Sequence, residues 1–284
     1  MKQKLQIAFL ILVTIACIIL GINTRNRSAI LVTQIATNSE ESLSYLVESK
    51  ENSIIMIDGG SYEESEHLEQ ILTEKGGIVK SWFLTNLHKQ NFGALEKIIQ
   101  NGKIEIQNIY LTTNPRDWYE THEPDQYAEN MEFLDLLSEK SLPVWQVPNR
   151  HEILVDNLYI TVLNIVNPEL TGDYAGFNQS MVIKINNTYK SMIFMGNIAQ
   201  EAAEKFKDNN LDEIDCDAVQ ISNNGAQFVP DEIYQKMTPK YLFMPVPKNS
   251  NQEKAEKYLQ NLRKTLNAEE IYASNKGDIT VKIK

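Results

Sequence analysis

Apolar positions over residues 29–58 fall in three short runs, Ala29–Ile35, Leu43–Glu48 and Ser53–Asp58, rich in β-branched and large apolar side chains. They predict three consecutive strands. After Gly59-Gly60 the period changes: Leu68, Ile71 and Leu72 recur at helical spacing within Glu63–Lys75, and Gly76-Gly77 stops that helix. Trp82–Leu84 then predicts a buried strand, Thr85–Phe92 a loop, Gly93–Gln100 a short helix and Ile104–Leu111 a strand. Tyr110–His122 reads as a loop, and Pro124–Lys140 as an amphipathic helix with Met131, Phe133, Leu134 and Leu137 on its apolar face.

The second half repeats this grammar. Strands are predicted at Val144–Val147, Ile153–Val155, Leu158–Leu163, Ser180–Ile185 and Ser191–Met195, before a helix at Ala199–Lys207. Strand Ala218–Ser222, helix Pro230–Met237, strand Tyr241–Pro245 and helix Gln252–Leu266 follow. A closing hairpin of Ile271–Ser274 and Ile279–Ile283 is predicted to turn on Asn275-Lys276-Gly277. Two blocks of antiparallel-type strands, each followed by βα alternation, predict two packed sheets with helices outside. No Pro- or Gly-rich linker separates them, so 28–284 reads as one α/β domain.

Residues 1–27 follow another pattern. Leu5–Ile22 is apolar but for Gln6 and Thr14, with Lys2 and Lys4 before it and Arg25 and Arg27 after it. Its eighteen residues would span about 27 Å as a helix, enough to cross a hydrocarbon core. A cleaved signal has a shorter apolar region and small residues at the cleavage site, and no A-x-A-like site follows here. The segment therefore reads as a single-pass signal-anchor. The balanced flanking charges say little about orientation, and likeness to an export signal favours a domain outside the cytoplasm.

Charge narrows the partners. The first 27 residues hold four basic side chains and no acid, so the remainder sets 23 basic against 38 acidic residues. Such a domain repels polyanions at long range, which disfavours nucleic acid. Cys216 is the only cysteine outside the anchor, so the domain has no internal disulfide.

Candidate chemistry gathers at predicted strand ends. Asp58-Gly59-Gly60, the loop from Thr85 to Gly93, Met195-Gly196-Asn197 and Ser222-Asn223-Asn224-Gly225 are rich in amides or glycine. In layered α/β folds such ends converge on a cleft. Their order and spacing, from about Ala29 to Val246, resemble the metallo-β-lactamase fold, specifically the extracytoplasmic hydrolase-like domain of competence-protein (ComEC-like) type. Asp58-Gly59-Gly60 matches that family's LIDGG strand end, and Thr85 to Ala94 its THxHxDHxGG loop. The run from Phe177 to Val182 resembles NNSLV, Gly196-Asn197 falls on GD, and Asn223-Asn224-Gly225 on HHG. The resemblance implies a four-layer αββα sandwich, here preceded by one transmembrane helix.

The resemblance also implies a metal site, and the residues depart from it. Asn86 stands at the first histidine, Gln90 at the aspartate, Asn91 at the following histidine, Asn197 at the bridging aspartate, and Asn223 and Asn224 at the histidine pair; only His88 survives. A hydrolytic zinc normally takes three protein ligands plus water, and neutral amides are poor substitutes. The remnant cleft of Asp58, Asn86, His88, Gln90, Asn91, Asn197, Asn223 and Asn224 thus predicts no bound cofactor. It suggests a membrane-anchored module that binds a cell-envelope protein or a small ligand. The rival expectation is a zinc- or manganese-dependent hydrolase acting on a phosphodiester, with His88 joined by Asp58 or His122.

Plainer roles stand beside these. His88 can simply hydrogen-bond neighbouring amides, and Asp58 can order its loop. His67, His122 and His151 read as surface or structural residues. Asn223-Asn224-Gly225 can be a plain turn, Cys216 a packing residue, and the loop holding Trp118 and Tyr119 either a ligand contact or a cover for the core.

Overall fold

The structure, a computed structural model, describes residues 11–14, 29–39, 42–210, 213–222, 229–248 and 252–284. The first strands show why the chain layers as it does. In β3 (Ile54–Ile57) every side chain is buried. Ile54 and Met56 pack with the helices, whereas Ile55 and Ile57 face a second sheet. A strand covered on both faces reads as a continuous apolar run, as this one does.

The first sheet joins β1 (Ile30–Gln34), β2 (Tyr45–Glu48), β3, β5 (Ser81–Phe83), β7 (Ile109–Leu111), β8 (Val144–Gln146) and β16 (Ile279–Ile283), in the order β16-β1-β2-β3-β5-β7-β8. The second joins β9 (Glu152–Val155), β10 (Leu158–Asn164), β11 (Val182–Asn186), β12 (Ser191–Phe194), β13 (Ala218–Gln220), β14 (Tyr241–Met244) and β15 (Glu270–Ala273), in the order β15-β14-β13-β12-β11-β10-β9. β4 (Ile78–Val79) and β6 (Glu105–Ile106) form a separate parallel pair. In each large sheet, antiparallel pairing gives way to parallel pairing, from β3 to β8 and from β12 to β15. Parallel neighbours need a crossover, and helices supply most of these connections.

Helices α1 (Ser65–Glu74), α2 (Lys89–Asn101) and α4 (Pro124–Glu139) cover the outer face of the first sheet, with Leu68, Phe92, Leu95, Ile98 and Phe133 in one core cluster with Trp82. Helices α6 (Gln200–Asn210), α7 (Asp231–Met237) and α8 (Gln252–Leu266) cover the second, through Phe206, Ile233, Tyr234 and Leu262. Between the sheets lie Tyr45, Phe83, Ile160, Ile183, Phe194 and Phe243. The result is the αββα sandwich that the pattern predicts.

Three local expectations are corrected. The Thr85–Phe92 segment is not loop throughout, because α2 begins at Lys89 with His88 as its extended N-cap. The segment before His122 is also helical: α3 spans Arg116–His122 and buries Trp118 and Tyr119 in the core. The last two strands form no hairpin. β15 lies parallel to β14 in the second sheet, and β16 lies antiparallel to β1 in the first. A one-turn 3-10 helix at Ser274–Lys276 carries the chain between sheets. Fully buried Ser274 Oγ accepts from Val246 N at 2.7 Å and donates to Val246 O at 3.0 Å, fastening this crossover. Ser274→Ala would leave both backbone groups without this partner and should cost about 1–3 kcal/mol in urea unfolding.

The predicted anchor falls mostly on residues outside those described. Residues 11–14 are helical, and among the described residues no helix is long and apolar enough to cross a membrane.

Candidate functional site

β3, β5 and β12 end at the same pole of the sandwich, and the loops after them form the centre of the site. Asp58 follows β3 with φ 55°, a left-handed conformation that Asp tolerates better than most residues. Its carboxylate is fully enclosed and accepts from Thr85 N at 2.8 Å and Thr85 Oγ1 at 2.6 Å. Burial pushes its pKa up to about 7, opposed by these Thr85 bonds and by the Asn91 amide. Asp58 therefore ties the first strand end to the second.

The α2 terminus packs hard on this loop. Gly59 N donates to Asn91 O at 2.7 Å, and Ala94 N to Gly60 O at 3.1 Å. Asn91 is thus on the first helical turn, fully buried, and its Oδ1 accepts from Asn197 Nδ2 at 3.2 Å. Across this pair the family pattern would place a histidine and a bridging carboxylate. Gln220, inside β13, supports Asn197 from behind by accepting from Gly196 N at 2.9 Å and donating to Gly196 O at 3.1 Å.

His88 and Asn86 point elsewhere. Asn86 Nδ2 donates to Gly176 O at 2.8 Å and to Ser180 Oγ at 2.9 Å. His88, 3% exposed, places Nε2 3.1 and 3.3 Å from the two carboxylate oxygens of Glu123. Phe177 meets the imidazole edge-on, with centroids 5.0 Å apart. Gly176, in the short helix α5 (Ala175–Asn178), closes this corner, since a Cβ there would overlap both Glu123 and His88 Nε2. Gln90 is half-buried and, among the described residues, bonds to none of the other amides. Asn223 and Asn224 lie outside the described residues.

The expected cleft residues therefore come together only in part. Asn91 and Asn197 bond to each other, and Asp58 orders its loop. Neither partner suggested for His88 joins it through a hydrogen bond: Asp58 is bonded to Thr85, and the His122 ring lies 5.1 Å from that of Trp118. The sequence reading missed Glu123, the carboxylate that does meet His88. It lies 35 residues away at the junction of α3 and α4, where only the following Pro124 marks a break.

These donors do not fit a zinc or manganese ion of the family's kind. Asn91 Oδ1 is already engaged within the protein, and the one imidazole meets one carboxylate. Among the described residues no three His, Cys, Asp or Glu side chains group as metal ligands would. Cys216 is buried beneath the second sheet's helices, and that burial raises its thiol pKa, so packing is its role.

Fold comparison agrees with this layout. The chain is similar to the metallo-β-lactamase fold protein YhfI from Bacillus subtilis, with a TM-score of 0.58 and 13% identity over 89% of this chain and 99% of that one. It is also similar to zinc-bound PqqB from Methylobacterium extorquens, with a TM-score of 0.57 and 8% identity over 88% and 99% of the two chains. A diphosphatase of the PhnP family gives 0.50 and 10% over 90% and 98%. No protein-family profile matches the sequence, and no curated protein matches it in sequence. The chain has the metallo-β-lactamase fold.

Proposed function

We propose that this chain is a metallo-β-lactamase-fold module, of the competence-protein extracytoplasmic type, that has lost metal binding and catalysis and works by binding. The observation that carries the reading is the Asn91–Asn197 amide bond of 3.2 Å, at the place where an active member needs an imidazole and a bridging carboxylate. A cleft without metal that kept several carboxylates would bury like charges, whereas amides donate and accept among themselves. Residues 1–27 hold the module at the cell membrane as a single-pass anchor, with the domain outside the cytoplasm. Its partner is a cell-envelope protein or a small ligand at the amide-lined pole.

One observation favours a second reading, a hydrolase with a non-standard zinc or manganese site. His88 and Glu123 supply one imidazole and one carboxylate in contact. A third ligand is what that reading lacks among the described residues.

One assay separates the two. The full chain, purified in detergent with zinc and manganese added, is expected to carry well under one metal per chain by mass spectrometry. His88→Gln should leave bis(p-nitrophenyl) phosphate hydrolysis at the same background as the parent. Stoichiometric metal, together with hydrolysis that His88→Gln abolishes, would replace the first reading by the second.

A further inference from the structure

The strand registers show which end of the sandwich lies nearest the N-terminal segment. Ile30 opens β1 opposite Ile283, and Leu31 lies opposite Glu48. Glu48 pairs with Ile54, Ile55 with Ser81, Trp82 with Ile109, and Ile109 with Val144. The β1 start thus shares one pole with the β2–β3 turn and the starts of β5, β7 and β8. The second sheet meets this pole at the β9–β10 turn, where Asn157 Oδ1 accepts from Lys50 N at 2.8 Å and Asp156 accepts from Ser49 Oγ. The β11–β12 turn is its neighbour, since Tyr159 lies opposite Asn186 and Asn186 opposite Ser191. The apolar run ends at Ile22, and even a fully extended chain from there to Ile30 reaches at most about 30 Å.

Exposed large apolar side chains gather at this pole. Among the described residues from Ile30 onward these are Tyr62, Ile78, Trp145, Leu154, Tyr159, Tyr174 and Tyr189. Leu154 and Tyr159 are cross-strand partners beside the β9–β10 turn, and Tyr189, 68% exposed, sits in the β11–β12 turn. Ile78 lies in β4 just ahead of β5, where Lys80 N donates to Ile54 O at 2.9 Å. Trp145 follows the first residue of β8, and its Nε1 donates at 2.9 Å to Asn108 Oδ1, directly before β7. Only Tyr62, after the Gly59-Gly60 loop, and Tyr174, beside Phe177, belong to the opposite pole. Charge does not choose a partner for the fringe. Exposed Lys50, Lys80, Lys140 and Lys284 are matched by Glu51, Glu74, Glu105 and Glu139, and Glu213, Asp215 and Glu269 add acids on the second sheet's side. At the hairpin tips Lys190 is paired with Asp217 at 2.7 Å.

We propose that this aromatic and apolar fringe seats the domain in the headgroup layer of the bilayer, with no need of anionic lipid, resting on the reading of residues 1–27 as a membrane anchor. Tyrosine and tryptophan combine an apolar body with a polar tip, and they are enriched where membrane meets water. The short link from Ile22 keeps the pole that carries them within reach of that layer. Tyr62 and Tyr174, at the far pole, stay out of it. The seated domain turns the strand ends bearing Asp58, Thr85 and Asn197 away from the bilayer, towards soluble partners.

The test uses the full chain in nanodiscs of neutral phosphatidylcholine with plain or brominated acyl chains, since bromine quenches a nearby indole. Of the three tryptophans only Trp145 is exposed, so the difference from Trp145→Phe isolates its emission. That emission should fall about twofold in brominated discs, equally at low and high salt. The variant Leu154→Ser/Tyr159→Ser/Tyr189→Ser should lose most of the quenching and stay inserted. No quenching in the inserted parent, or full quenching in the inserted variant, overturns the seating and leaves the anchor standing. Two chains per disc without quenching would assign the fringe to a second copy instead. Extraction by alkaline carbonate overturns the anchor. The fringe is then judged by sedimentation of the released chain with phosphatidylcholine vesicles: binding that the variant loses supports it, and any other result overturns it too.

Discussion

Gly93→Ala is expected to cost about 3 kcal/mol, the upper part of the range for overpacking a filled interior. A Cβ at Gly93 would lie 2.6 Å from Tyr62 N, 3.1 Å from Ser61 C and 3.3 Å from Tyr62 Cα. These are backbone atoms and cannot swing aside as a side-chain tip can. Relief would require moving α2 off the Gly59-Gly60 loop, which breaks the bonds from Gly59 N to Asn91 O and from Ala94 N to Gly60 O. Alanine's better helix propensity returns only about 1 kcal/mol. In a domain of this size the loss corresponds to about 6–12 °C in Tm. Gly102→Ala is the internal comparison: it caps the same helix at φ 68° in open space, so only about 1 kcal/mol of left-handed strain is expected. Equal Tm values for the two variants would show that the helix does not press on the loop as described.

That contact also shows what the sequence could and could not reveal. The continuous apolar run of β3 and the helical spacing of Leu68, Ile71 and Leu72 placed their elements within a residue or two, because burial writes itself into local order. The start of α2 was hidden by its own composition. Gln90 and Asn91 are polar, read as loop residues, and one is nevertheless fully buried in the first turn. Helix α3 has no apolar period of its own, and Trp118 and Tyr119 alone hold it to the core. The strands on either side of Asn275-Lys276-Gly277 look like a hairpin locally. They separate because β1 and β14 each offer an open edge, a tertiary fact with no local signature. At the site, the order of strand ends was legible, and so were the amides they carry at Asn86, Gln90, Asn91 and Asn197. The partner of His88 could not, since Glu123 reaches it only through the packing of α3 and α4 against α5.

Asp58 carries the largest pH effect expected of this domain. Its carboxyl is fully enclosed, and burial raises its pKa from 3.8 to about 7 despite the two Thr85 bonds. Between those pH values the folded protein holds a proton that the unfolded chain has released. The contribution of Asp58 to stability is therefore largest below about pH 4, falls as the pH rises towards 7, and levels off above it. A shift of about three units corresponds to about 4 kcal/mol between the two limits. Asp58→Asn keeps the shape without the charge. Its Oδ1 can accept from Thr85 N, and its Nδ2 can donate to Thr85 Oγ1, which reverses its role. Urea unfolding should show this variant close to the parent at pH 4.5 and more stable at pH 8, so that the difference between the two profiles isolates the one group. Asp58→Ala should be less stable at both pH values, because Thr85 N then loses this partner inside the protein. Parallel profiles for the parent and Asp58→Asn would mean that the acid stays charged throughout. Its bonds to Thr85 would then offset its burial, and Asp58 would be an anionic post for that loop with no effect on the pH profile in this range.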